Sequence, residues 1–195
     1  MINNQKLINI ADIITGFTED KEAQTENSFV YQYIQPNNLS ESGKLKDTIT
    51  ILKKDQISAD QLVQNGDVLV KRLNPNVSVI VLANEPTIIS TNLYAIRVKR
   101  NDVLPEYLAC LFEQPSFLSQ IEHISGTATV IKAISAKKLA DVMIPLIPIH
   151  KQKALGMLWT LNKKRKQLLL DYISESDKLF SCLTDTIISD DEEDK

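Results

Sequence analysis

From Ile149 to Ile188 the chain contains no proline and a single glycine, Gly156. Nothing in this stretch stops a helix, so it can form one rod of some 40 residues, about 60 Å long at about 1.5 Å per residue. That is too long for an ordinary core helix. Leu158, Leu161, Leu168, Tyr172 and Leu179 recur along it at alternating spacings of three and four, interrupted by Arg165 and Glu175, with Leu155, Leu169, Ile173 and Leu183 widening the stripe. An apolar stripe of this kind needs a partner. Leu155, Leu158, Leu161, Leu168, Tyr172 and Leu179 are therefore the expected contacts of a coiled coil with another subunit. The internal alternative is a rod that folds back on the body or breaks near Asp171. The run Lys163-Lys164-Arg165-Lys166 has the charge to touch phosphates, and a solvated helix face is the simpler reading.

Before the rod the pattern is different. Short β-rich runs occupy Phe29 to Gln35, Thr48 to Leu52, Asp67 to Lys71, Val77 to Leu82, Thr87 to Ser90 and Leu93 to Val98, separated by polar turn residues. Pro105 and Pro115 suit the first turns of two helices, carrying Tyr107, Leu108, Leu111 and Phe112, then Phe117, Leu118 and Ile121. Gly126 is placed to end the second. A short segment, Lys132 to Leu139, leads to the boundary Met143-Ile144-Pro145-Leu146-Ile147-Pro148. The expected class is α+β, a mixed twisted sheet or partly closed barrel followed by a long C-terminal coiled-coil helix. The expected divisions are 1–147 for the mixed domain, 148–188 for the helix and 189–195 for a disordered acidic tail.

Composition narrows the function. A chain that is 43% hydrophobic and 24% charged is that of an ordinary globular protein. No apolar run approaches the roughly 20 residues of a membrane span, and the polar opening lacks a signal-peptide core, so the cytoplasm is expected. The formal charge of -3 looks unhelpful for binding nucleic acid. Residues 190–195, however, hold five acids and one base, and setting them aside from the 25 acidic and 22 basic residues leaves 20 and 21. Cys110 and Cys182 form no metal-binding spacing and read as two inert buried thiols; His123 and His150 stand far from any nucleophile context. No phosphate-binding glycine loop and no adenine-methyltransferase motif is present. Glu19-Asp20-Lys21 matches a nuclease carboxylate spacing only superficially, and no cofactor or metal is expected.

Four stretches together resemble the target recognition domain of type I restriction-modification specificity subunits. The first is the apolar opening Leu7 to Thr15 closed by Gly16, and the second is the polar loop Tyr33-Ile34-Gln35-Pro36-Asn37-Asn38-Leu39. The third joins Gly66-Asp67-Val68-Leu69-Val70-Lys71-Arg72 to Ser90-Thr91-Asn92-Leu93-Tyr94-Ala95-Ile96-Arg97. The fourth runs from Leu104-Pro105-Glu106-Tyr107-Leu108 through Gly126 to Ile144-Pro145-Leu146-Ile147-Pro148-Ile149-His150-Lys151-Gln152. The order and spacing of the four carry the resemblance. Family members usually hold two such domains in tandem, each followed by a long helix, whereas this sequence has room for one of each. It therefore resembles a half subunit.

The resemblance implies a non-catalytic reader of double-stranded DNA. Two copies, or this chain with a second half subunit, would assemble on a bipartite site. The helices would dock modification subunits that bind S-adenosylmethionine and, in some assemblies, an ATP-dependent restriction subunit. The candidate reading residues are Gln35, Asn37 and Asn38 on one loop, Lys71, Arg72, Asn74 and Asn76 after a strand, and Thr127, Thr129 and Lys132 beyond Gly126. Arg and Lys can pair with guanine and Asn and Gln with adenine, while each of them can equally satisfy turn backbone. Arg97 and Asn92 are expected to be structural. Two other readings remain open: a protein-interaction adaptor using the helix alone, and an enzyme built on carboxylates such as Asp67 or Glu85.

Overall fold

The computed structural model describes residues 3–19, 28–46, 50–73, 78–125 and 133–193, with backbone alone at 122–125 and 190–193. The β-rich runs form strands within two or three residues of the expected bounds: β3 (Phe29–Ile34), β4 (Thr50–Lys54), β5 (Val68–Lys71), β6 (Ser78–Ile80), β7 (Thr87–Ile89) and β8 (Leu93–Val98). Three further strands escaped the alternation reading. The stretch before Gly16 splits into a one-turn helix, α1 (Leu7–Ile10), and β2 (Ala11–Thr15), while β1 (Asn3–Lys6) and β9 (Met143–Leu146) lie at the two ends of the mixed domain.

The strands make three sheets rather than a partly closed barrel: β2-β8-β5-β6, β4-β3-β7 and β1-β9. The four-stranded sheet is the central layer and is buried on both faces. Period-two alternation divides its side chains, so Val68, Val70, Tyr94 and Ile96 join the helical core, and Leu69, Leu93 and Ala95 join a second cluster with Ile34, Val79 and Ile89. Burial on both sides explains why these strands read as continuous apolar runs. The three-stranded sheet covers the second face, with β3 antiparallel to β4 and parallel to β7.

The helical layer contains α2 (Pro105–Phe112), α3 (Pro115–Ser125), α4 (Ala136–Ala140) and α5 (Ile149–Glu193). The prolines start α2 and α3 as the sequence indicates. Gly126 lies outside the described residues, as does the Lys132 end of the short segment that becomes α4. The boundary segment is itself structural: β9 pairs antiparallel with β1, Asn3 opposite Leu146 and Lys6 opposite Met143, and Lys6 Nζ lies 2.6 Å from an Asp141 carboxylate oxygen. Pro145 disguises the strand in sequence, and a two-stranded ribbon tolerates it.

At 45 residues α5 runs unbroken through Asp171, neither folding back nor stopping, and continues past Ile188 to Glu193. Among the described residues its polar contacts with the body lie along its first four turns, up to Lys163. Gly156 lets the rod approach α2, because a Cβ there would lie 2.7 Å from Glu106 Cβ. Gln152, 1% exposed, accepts a hydrogen bond from Leu104 N–H at 3.1 Å and donates to the Asp102 and Ile147 carbonyls at 2.8 and 2.9 Å. Trp159 closes the helical core from the same face.

Lys163 departs from both readings of the basic run. It is 5% exposed, lies 2.6 Å from Glu113 Oε1, donates to the Glu41 carbonyl at 2.9 Å and passes 5.5 Å above the Trp159 ring. Leu155 also differs from expectation, being half-buried against the helical core. The thiols divide too: Cys110 is half-buried, and its pKa is raised by that burial, whereas Cys182 is exposed on α5. No described helix is long and apolar enough to cross a membrane.

Tyr107 fastens α2 to β9 by donating its hydroxyl to the Pro145 carbonyl at 2.5 Å, and burial pushes its pKa up to about 12. A raised tyrosine pKa means that its contribution to stability is complete below about 10 and is lost as pH rises through about 12. Tyr107→Phe should cost about 1 kcal/mol at neutral pH in urea unfolding and remove a tyrosinate step near 12 from an alkaline ultraviolet titration.

Candidate nucleic-acid interface

Strand ends converge on the turn Ser90-Thr91-Asn92 between β7 and β8. Ser90 N–H donates to the Ile34 carbonyl at 2.8 Å, at the end of β3, and Thr91 N–H donates to the Phe17 carbonyl at 3.1 Å, just past β2. Arg72, just past β5, donates its backbone N–H to the Asn92 carbonyl at 3.0 Å and Nη1 to the Thr91 carbonyl at 2.8 Å. One short turn thus gathers the exits of β2, β3 and β5. Gly16 makes the gathering possible. A Cβ there would sit 2.2 Å from the Ile89 and Ser90 carbonyl oxygens, so the glycine closing the apolar opening is required by close backbone approach.

The loops that leave these exits carry the candidate reading residues. Beyond β3 a single 3-10 turn (Pro36–Asn38) holds Asn37 outward in solvent. Asn38 instead closes that turn: it is 3% exposed, and its Oδ1 accepts the Gln35 N–H at 2.7 Å rather than facing outward. Gln35 is half-buried, donating Nε2 to a Glu19 carboxylate oxygen at 3.2 Å. Lys46 escaped the sequence reading. It is exposed, and its backbone N–H donates to the Asn38 carbonyl at 2.8 Å, which places a cation beside the same turn.

Beyond β5, Lys71 is half-buried at the end of the strand, opposite Leu93. The Arg72 guanidinium lies 5.6 Å from the centre of the Tyr94 ring, and its buried Nε has no partner among the described residues. With Nη1 already on Thr91, this arginine organises the turn. The Arg72 carbonyl accepts the Ile134 N–H at 3.0 Å, and Tyr94 donates its hydroxyl to the Ile134 carbonyl at 2.9 Å. Ile134 follows the 126–132 segment, so the chain returns from that segment directly onto the β5 exit. Asn74, Asn76, Thr127, Thr129 and Lys132 lie outside the described residues. Their segments nonetheless begin or end at this one rim of the sheets.

The expectation that Arg97 is structural agrees with its side-chain contacts, whereas Asn92 joins the turn through its backbone and its side chain is exposed. Arg97 donates Nε and Nη2 to the two Asp67 oxygens at 3.0 and 2.7 Å, and reaches the Asp60 and Leu62 carbonyls at 3.1 and 2.6 Å. Asp67, its side chain 2% exposed, also accepts the Gln64 N–H at 2.8 Å. Gly66, at φ +89°, supplies the left-handed turn before it. Asp67 is thus consumed by a structural lock, which removes it as the base of an enzyme. Glu85 is exposed, and no group of three or more potential metal ligands occurs among the described residues.

On α5, the stripe residues Leu158, Leu161, Leu168, Tyr172 and Leu179 are each more than half exposed. At 100° per residue they centre roughly opposite the docked residues Gln152, Trp159 and Lys163. The rod therefore presents a free apolar face away from the body that holds it.

The comparisons with known proteins agree with this architecture. The family model described as type I restriction modification DNA specificity domain matches residues 2–157. The HsdS subunit from Thermoanaerobacter tengcongensis superposes with a TM-score of 0.64 at 17% identity, over 86% of this chain and 43% of that one. A chain from a structure describing complex assembly and conformational transition of the type I R-M system gives 0.66 at 18%, over 90% and 46%. The type I restriction-modification S subunit from M. genitalium gives 0.58 at 15%, over 91% and 43%. This chain thus spans slightly under half the length of each. No curated protein matches it.

Gly16→Ala tests the rim. The added methyl has only backbone to displace, so the variant should lose about 2–3 kcal/mol in urea unfolding, whereas Asn37→Ala, on the outer side of the same rim, should change stability by less than about 0.5 kcal/mol. With the family model covering most of its length and the fold shared with three solved relatives, the chain belongs to the type I restriction-modification DNA specificity domain family.

Proposed function

We propose that this chain is a non-catalytic half of a specificity subunit, which reads one part of a bipartite double-stranded DNA site through the rim around Ser90-Thr91-Asn92 and pairs with a second copy through α5. The observation that carries the reading is convergence: the exits of β2, β3 and β5 meet at one turn, and the chain following 126–132 is bonded through Ile134 to Arg72 and Tyr94 beside it. Gln35, Asn37, Lys71 and Lys46, with Asn74, Asn76, Thr127, Thr129 and Lys132 on the adjoining segments, supply the side-chain chemistry for phosphate and base-edge contacts. Asn38 and Arg72 act by holding the rim in shape.

The charge pattern of α5 supports an antiparallel pair. Residues 149–170 hold six basic and no acidic side chains, and 171–193 hold eight acidic and one basic. Laid antiparallel, each basic half lies along the partner's acidic half. The stripe is also self-complementary about Leu170: Leu168 and Tyr172, Arg165 and Glu175, Leu161 and Leu179, and Leu158 and Cys182 stand at equal distances on either side. In a two-fold pair each residue meets its counterpart, which brings the seam's arginine to its acid. Glu175 already holds Lys178 at 2.7 Å on the exposed surface, an i,i+3 pair of small worth by itself.

A two-stranded seam does not exhaust the rod. Leu169, Ile173, Phe180 and Ile187 are more than half exposed and, with the seam, cover a sector of roughly 140°. That width supports docking of a modification subunit on the paired helices. Methyl transfer from S-adenosylmethionine, and any ATP-dependent restriction, would then be the work of partners, with this chain supplying address and scaffold.

Selection from a randomised duplex library at physiological salt, with and without the modification subunit, should enrich an interrupted palindrome. A folded dimer that enriches no sequence in either condition would instead favour the adaptor reading. The pairing has its own test in sedimentation equilibrium. Arg165→Glu or Glu175→Arg alone should weaken the dimer at least about tenfold by opposing like charges, and the two in one chain should restore it. Equal effects of the single and combined variants would contradict the antiparallel register.

A further inference from the structure

A rod held at one point swings; held at two separated points, it keeps its direction. α5 is fastened to the body by polar contacts at Gln152 and again at Lys163, eleven residues and roughly 16 Å further along. The second fastening reaches three elements. Lys163 Nζ meets Glu113 at the end of α2 and the Glu41 carbonyl in the loop after the 3-10 turn, and the same Glu113 oxygen accepts the Ser78 N–H of β6 at 2.8 Å. Gly43, at φ +76°, admits the lysine stem, because a Cβ there would press on Lys163 Cγ and Cδ at 3.1 Å. Ser78 follows the segment bearing Asn74 and Asn76, and Glu41 follows the turn bearing Asn37. The two contacts beyond α2 are thus made with the chain next to the rim.

We infer that Lys163 and Glu113 form a positioning pair that fixes the angle between α5 and the reading rim, and so sets which spacer length the paired chains accept. The inference rests on the proposed reading and deepens it. About 30 residues of α5 project beyond Lys163, a lever of about 45 Å, so a swing of roughly 10° moves the far end by about 8 Å. At about 3.4 Å per base along a strand, this amounts to roughly two base pairs. Gln152, the Gly156 contact with α2 and the Trp159 ring retain the helix on the body when the second fastening is lost, and beyond Trp159 no polar contact among the described residues then fixes its direction.

The variant Lys163→Met with Glu113→Gln tests this without leaving an unpaired buried charge. The methionine keeps contact with Trp159, and the glutamine can still accept the Ser78 N–H. Two readouts separate the inference from the reading on which it rests. The first is the distance between spin labels on Ser181→Cys, exposed on the side of α5 away from the seam, and on Ala59→Cys of the body, in a Cys110→Ala, Cys182→Ala background diluted with unlabelled chain. The variant should broaden a single narrow distance about twofold. The second is duplex selection with randomised spacers, in which the variant should keep the half-site sequence and widen the accepted spacer by at least one base pair on either side.

A narrow distance and an unchanged spacer in a folded variant would overturn the inference while leaving the reading intact. Loss of half-site identity together with spacer choice would also overturn it, since the pair would then be shaping the rim rather than aiming it. A broadened distance in a chain whose native form selects no site would support the pair as the determinant of the angle and remove the DNA reading.

Discussion

The docking of the first turns of α5 against α2 is the constraint on which the molecule's geometry depends. It needs a glycine at position 156, where Glu106 leaves no room for a Cβ, and a buried glutamine at 152 to satisfy the Leu104 N–H and two carbonyls that would otherwise be stranded. Because the contact uses one face of the helix only, the opposite face stays apolar and exposed, and most of the rod's length lies beyond the body. A long helix packed along its whole length would be a core element. Held by its first turns, it becomes an arm.

The central sheet governs the other end of the molecule. With both faces buried, β5 and β8 offer little surface for contact, and the exposed loops leave from the exits of the strands. There the Ser90-Thr91-Asn92 turn, the close approach at Gly16 and the tethered Arg72 hold several loops to one rim, while Asn37 and Lys46 stay exposed. A rigid scaffold that presents exposed loops along one rim is suited to binding.

Much of this was legible in the sequence, for specific reasons. β-rich runs between polar turns marked β3 to β8, most plainly β5, β7 and β8, which fill buried layers, and the absence of proline after Pro148 marked α5. β1 and β9 were not legible: Asn3-Asn4-Gln5-Lys6 is wholly polar, and Pro145 interrupts the other, so only their mutual pairing makes them strands. Lys163 was hidden within a basic run that reads as solvent-facing, since its burial comes from Glu113 and Glu41, far away in sequence. Asn38 and Arg72 had the residue types of DNA readers, and it took the fold to reveal that Asn38 Oδ1 closes a 3-10 turn and that Arg72 Nη1 is held by the Thr91 carbonyl. Leu155 lay on the apolar stripe but within the docked stretch, a division that periodicity alone does not draw.

Two rims, carried on paired arms, should touch DNA at two separated places, and every functional feature proposed for this chain follows from that geometry. Hydroxyl-radical footprinting of the dimer on a selected duplex measures it directly. The expected result is two protected tracts of equal length, related by the site's two-fold axis and separated by a spacer that remains cleavable. One continuous protected tract, or protection of a single half by the dimer, would contradict it.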